Sequence, residues 1–304
     1  MSGDARPRRP GRRTPAHLAV VFCLLTQAPQ ATTVGRVTAV AWPRQATLGV
    51  ALAEAADQPR RFPGIGPLPD RPLRLILAPT RAVFDSITRG RLPPWSGGAA
   101  FPEGGTIVLL SDRPIDQLSV ALRHELAHLA LRWRVGHHLP LWFEEGYAAV
   151  AAGEWGRVDA LRMSWQLARG RRMDLDDLDR ALRGDATDAE GAYALATTAV
   201  LLLERWGGER GLEPLISRLP AAPSFDAALR EAYHVTEGDF EERWERDLRS
   251  RYGWLQWAQS VGVFWAVLAL LLIALVVVRR RRDRARRARL DEGWIVPPDE
   301  PPSS

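Results

Sequence analysis

Arg123-His124-Glu125-Leu126-Ala127-His128-Leu129 is the stretch on which the reading of this chain turns. It spells H-E-x-x-H inside an apolar helical pattern that includes Leu118, Leu122, Leu126, Leu129 and Leu131. Residues i and i+4 share one helix face, so His124 and His128 can aim two imidazoles at one metal ion. Neutral imidazole suits Zn²⁺. Glu125 sits about 100° round the helix, badly placed as a ligand beside the histidines. It is well placed to take a proton from water on that ion and to return it to a leaving amine. A helix apolar almost all round is a buried helix, and two histidines and a glutamate buried there need partners. One metal ion supplies them.

A catalytic zinc takes three protein ligands and keeps one position open, so a third ligand is expected nearby. Gly136 closes the H-E-x-x-H helix and Pro140 opens the next, at an N1 position. That second helix reads Leu141-Trp142-Phe143-Glu144-Glu145-Gly146-Tyr147-Ala148 and packs beside the first. Glu145 is in phase with Trp142 and Ala149 on the buried face, whereas Glu144 falls at the rim. Glu145 is therefore the expected third ligand. His137 and His138, adjacent in the loop, are the weaker alternative. The metzincin pattern is excluded, because Leu131 and Arg134 stand where it needs glycine and histidine.

The two motifs together resemble the gluzincin metallopeptidases, and most closely the bacterial peptidase-MA-like group. Aminopeptidases of the aminopeptidase N type carry a similar W-[LF]-x-E-G-[FY]-A segment, whose glutamate before glycine is the third zinc ligand. That position here is Glu145. The resemblance covers roughly residues 40–250, specific at the two motifs and loose elsewhere. It implies an α+β, mostly helical, zincin-like domain with a small N-terminal β-sheet. It also implies hydrolysis of peptide bonds with one Zn²⁺ held by His124, His128 and Glu145. In several gluzincins a tyrosine or histidine on a later helix stabilises the oxyanion. Tyr193 is the best-placed candidate, ahead of Tyr147 and His234, although a core tyrosine with a hydrogen-bonded tip fits it as well.

Outward from the motifs, the pattern predicts a helix within residues 36–58, with Leu48, Leu52, Ala55 and Ala56 in helical phase, and strands over 71–78 and 106–110. It predicts a short helix over 80–89 and a Gly/Pro-rich loop over 93–105. Asp116 is a candidate N-cap for the H-E-x-x-H helix. Later helices are expected over 158–170, 175–183 and 193–206, with two or three more between 211 and 253. The aspartates from Asp174 to Asp179 read as a solvated helix start rather than a calcium loop.

All 41 basic residues are arginine, a composition typical of GC-rich bacterial genomes. The net charge of +5 misleads: the first fifteen residues carry +4 and residues 279–304 carry +3, leaving −2 between them. No nucleic-acid surface is indicated. Residues 1–31 read as a signal peptide, cleaved or retained, with an apolar run over 16–28; Cys23, the single cysteine, stands outside any lipobox. Residues 256–278 read as a transmembrane helix, and 279–304 as a cytoplasmic Arg-rich and then Pro-rich, acidic tail. By the positive-inside rule, domain 36–253 then lies on the extracytoplasmic face of a bacterial cell membrane. The expected function is a membrane-anchored zinc metallopeptidase acting on peptides or proteins, with Glu125 as base. The alternative is an envelope scaffold that binds zinc without turnover. An intramembrane protease is disfavoured, since Arg123 and Arg132 flank the motif.

Overall fold

The computed structural model describes residues 28–154, 174–184, 186–252 and 261–291. The described residues form two compact units divided between Trp244 and Glu245. The first is mostly helical around a mixed five-stranded sheet.

The sheet follows from alternation along its strands. β1 (Gln30–Val34) pairs antiparallel with β2 (Val37–Ala41). A small hairpin, β3 (Arg61–Phe62) with β4 (Gly66–Pro67), stands apart. β5 (Leu73–Ala78) and β7 (Thr106–Leu110) run parallel to β2, and β6 (Gly98–Phe101) pairs antiparallel with β7. The order is β1-β2-β5-β7-β6, so β6 is an edge strand. Successive residues face opposite sides. Ala78, Val108, Leu110 and Ala99 pack with Phe84 of α2 (Arg81–Thr88). Val37, Ala39, Ala41, Leu75 and Leu77 are buried in the other phase, where Gly49 of α1 (Ala46–Asp57) approaches Ala41 and Leu77. That second face also receives the H-E-x-x-H helix, α3 (Ile115–Val135), which packs on β6 and β7.

Four features differ from expectation here. β1 and β2 arise from residues 30–41, which carry no long apolar run, and β6 arises inside the stretch expected as loop. Gly-Ala-Ala-Phe has little strand propensity of its own; pairing with the apolar β7 decides it. Asp116 lies in the first turn of α3 rather than capping it, and Pro140 is the N-cap of the next helix rather than its first residue.

That helix, α4 (Leu141–Ala152), packs between α3, α5 (Leu175–Leu182) and α6 (Ala186–Trp206). α5 starts at Asp174, whose side chain caps it. Asp179 of α5 accepts from the backbone N–H groups of Leu141 (3.1 Å) and Trp142 (2.7 Å), and so caps α4. Short α7 (Glu213–Ile216), then α8 (Phe225–Tyr233) and α9 (Glu237–Tyr252), complete the helical part. Trp142, fully buried, meets Phe225 edge-on (5.4 Å) and stacks on Phe240 (5.8 Å). Each such aromatic hides roughly 150–250 Å², on the order of 4–6 kcal/mol of apolar burial.

In the second unit, α10 (Val261–Asp291) is a continuous helix. The expected transmembrane helix is not upheld: among the described residues no helix is long and apolar enough to cross a membrane. The uncharged stretch 261–278 spans about 27 Å at 1.5 Å per residue, short of the ~30 Å hydrocarbon core. The same helix then runs on through Arg279, Arg280, Arg281 and Arg282. The single-pass anchor and the orientation drawn from it go with that reading. The apolar run 16–28 lies outside the described residues apart from Ala28, and Gln30 and Ala31 already belong to β1. The helix expected over 158–170 and the tail beyond 291 also lie outside them.

Candidate metal centre

α3 carries His124 and His128 one turn apart, their rings 4.9 Å between centroids. Gly136 ends the helix in the left-handed conformation (φ 88°), where a side chain would be strained. The loop that follows is tied by Glu144, whose Oε1 accepts the Leu139 N–H at 2.9 Å. α4 then returns alongside α3. Gly146 lets it approach α6 closely: a Cβ there would lie 2.5 Å from the carbonyl oxygen of Ala196. The neighbouring residue, Glu145, is thereby set against the histidines.

Glu145 Oε2 stands 3.4 Å from His124 Nε2 and 3.7 Å from His128 Nε2. Ligand atoms of the three residues all lie within 4.8 Å of one another, compact enough to share one ion. Two imidazole nitrogens and a carboxylate oxygen make a donor set that suits a divalent transition metal. His124, His128 and Glu145 form a group that can hold a metal ion. No other such group occurs among the described residues.

The metal-free electrostatics have the same cause. Burial alone would lower the pKa of His124, but hydrogen bonds to Glu145 and Glu154 outweigh it and raise it well above the ordinary value. His128 is likewise disfavoured by burial and raised on balance by Glu145. Burial would raise Glu145, yet the facing histidines hold it well below the usual carboxylate range.

Glu125 is buried, and burial pushes its pKa up against the pull of both histidines. Its carboxylate lies against Gly98 of β6, where any side chain would lack room: a Cβ would fall 2.3 Å from Glu125 Oε1. Tyr193 of α6 lines the same cleft as Glu145, and burial foremost, then Glu145, raises its pKa. Its ring meets Trp95 edge-on at 5.6 Å.

All five residues expected from the sequence thus lie together at one site. The alternatives do not join them. Tyr147 is buried and donates to the Pro63 carbonyl at 2.9 Å. His234 closes α8 in the left-handed region (φ 58°), away from the cleft. His137 and His138 line the cleft but stand outside the ligand group. Sequence reasoning misses Glu154. It follows the left-handed Gly153 that ends α4, and its Oε1 lies 3.1 Å from His124 Nδ1. It misses Gly98 too, since a double glycine in a Pro-rich stretch reads as loop.

The site opens into a cleft of about 870 Å³. β6 forms one wall. Leu110 N–H bonds to the Gly97 carbonyl, so by alternation Gly98 and Ala100 turn their backbone groups away from β7. The loop 93–97 continues that wall, and the α3–α4 turn with the end of α5 forms the other side. No protein-family model matches the chain, and no curated protein matches it in sequence.

Proposed function

We propose that the protein is a zinc-dependent peptidase of the gluzincin type, with His124, His128 and Glu145 as the ligands. The observation that carries this reading is Glu125: a buried carboxylate without a hydrogen-bond partner among the described residues, at the mouth of a three-ligand group that faces a large cleft. A closed structural site takes four protein ligands. Only three come together here among the described residues, which favours turnover over a scaffold.

A zinc ion bound there supplies Lewis acidity, polarising a carbonyl and acidifying water. The protein's own residues do the rest. Glu125, its pKa raised by burial, accepts a proton from the attacking water and delivers it to the departing amine nitrogen. Water oxygen adds to the carbonyl carbon, and the C–N bond breaks. The Tyr193 hydroxyl, on the cleft wall with Glu145, can donate to the developing oxyanion. The outward N–H groups of β6 can pair with an extended peptide. The Gly98 carbonyl is already taken by Ser96 Oγ at 2.8 Å.

Replacing Glu125 with glutamine tests this. Metal stoichiometry should stay at one ion per chain, while cleavage of a mixed peptide library falls about 10²–10⁴-fold. Undiminished cleavage by the metal-loaded Glu125→Gln protein would sink the mechanism.

A further inference from the structure

Arg132 follows His128 by four residues, as His128 follows His124, and it lines the same cleft. All three share one face of α3. The guanidinium group therefore stands one turn, about 6 Å, beyond the candidate metal ligands along the helix. Its side chain is only 17% exposed.

Few of its donors are used. Nη2 touches the His138 ring, 2.8 Å from Nε2, and stands 4.0 Å from Glu144 Oε1. That oxygen is committed to the Leu139 N–H and is also 3.7 Å from His138 Nδ1. Nε and Nη1 have no partner among the described residues, and neither is sealed from solvent. A second cation stands on the same side. Arg183, at the end of α5, lines the cleft and donates to the Asp179 carbonyl at 2.9 Å. Asp179 is the cap of α4, so Arg183 is held beside the helix end from which Leu141 enters the cleft.

Arg183 also pairs with Asp179 Oδ2 at 3.8 Å, whereas the acids lining the cleft are committed elsewhere than to Arg132. Glu145 is a ligand, Glu125 the base, and Glu144 serves the loop. Glu103, past the far end of β6, is the remaining lining carboxylate, and Arg91 is a third lining arginine. Among the described lining residues, no idle carboxylate near the ligands offers an anchor to a free α-amine.

We propose that this end of the cleft is a carboxylate-recognition subsite with Arg132 as its principal group. This rests on the peptidase reading for what the carboxylate belongs to: a peptide substrate. An extended chain advances about 3.3 Å per residue, so the carboxylate would stand about two residues from the bond to be cut. It comes either from an acidic side chain or from a free C-terminus. Nε–H and Nη1–H open on different edges of the guanidinium plane, so each can donate one hydrogen bond to a carboxylate, and a bidentate contact forms when His138 yields Nη2.

The full-length Glu125→Gln protein, loaded with zinc, is titrated calorimetrically with hexapeptides bearing Glu, Gln or Lys at one central position. Each is made with a free and an amidated C-terminus. At least one carboxylate-bearing form should bind about tenfold or more tighter than the Gln-containing amide. A preference lost on amidation names the C-terminus; one kept on amidation names the side chain. Arg132→Gln should abolish the preference and leave the neutral peptide unchanged, and Arg132→Lys should restore part of it. If Arg132→Gln fails to fold, Arg183→Gln is read in its place, with a partial loss of the preference expected. Equal affinity for charged and neutral peptides overturns the proposal, as does equal weakening of all peptides by the variant. Acidic preference without any cleavage by the Glu125-containing protein would remove the peptidase reading and leave the subsite standing. Cleavage without that preference would do the reverse.

Discussion

Glu125 owes its position to an atom that Gly98 lacks. The carboxylate fills the space a Cβ would take, so the proposed general base is held by the strand as well as by its own helix. Gly98 has no positive φ, and alanine there meets no backbone strain. Gly98→Ala should therefore cost about 1–3 kcal/mol through overpacking alone. In a Glu125→Ala background the same change should be neutral or stabilising by about 0.5 kcal/mol, since the opposing carboxylate is gone. Denaturant unfolding of the four proteins reads this coupling without any substrate. Equal costs in both backgrounds would show that Gly98 does not hold Glu125. Residues of the metal group are legible in the sequence because helical spacing and the turn after Gly136 leave few arrangements. Gly98 is not, because its role depends on a side chain of another element, met only once the sheet and α3 have packed.

The helix ends carry as much of the design as the helices. Gly153 lets α4 finish in a left-handed turn, with the Glu154 N–H returning to the Ala149 carbonyl at 3.0 Å. Glu154 then reaches back to His124 Nδ1, leaving Nε2 to face Glu145. A carboxylate on the far nitrogen fixes the tautomer and ring plane of a ligating histidine. Glu154→Ala should weaken zinc binding about 10–100-fold, measured by competition with a chromophoric chelator. An unchanged affinity would reduce the contact to a surface pair. α1, α2, α3 and the strands β5 and β7 are readable from their apolar periods. β6 is not, since its strand character comes from β7. α10 shows the opposite error: its apolar stretch reads as a span, and the helix it belongs to does not qualify.

Across the whole molecule, protons and metal compete for one place. Without the ion, His124 and His128 titrate above the ordinary 6.5. Their protonated forms stabilise the metal-free fold below that value, and the contribution is lost as pH rises through the raised folded values. Glu145 is depressed, so its contribution holds above the ordinary 4.5 and is lost as pH falls towards its folded value. Metal binding must expel the imidazole protons. Near neutral pH, zinc uptake should therefore release between about one and two protons per ion, and its affinity should fall as pH drops. Calorimetry in buffers of differing ionisation enthalpy measures the release. Zero release would mean that the histidines are already neutral.

Gly146 has a mechanical consequence as well. It touches the backbone of Ala196, which lies one turn from Tyr193, while Glu145 is its immediate neighbour. A contact between two backbones leaves no soft side chain to yield, so α4 and α6 move as one rigid body at that point. Glu145 and Tyr193 are carried together. The opposite wall is joined differently: the loop bearing Trp95 is tied through Arg81, which donates to the Pro93 carbonyl at 2.9 Å, and through Ser96. Polar ties of that kind exchange with water more readily than a close-packed helix pair separates. The cleft thus has a stiff jaw that carries Glu145 and Tyr193 and a more compliant jaw facing it.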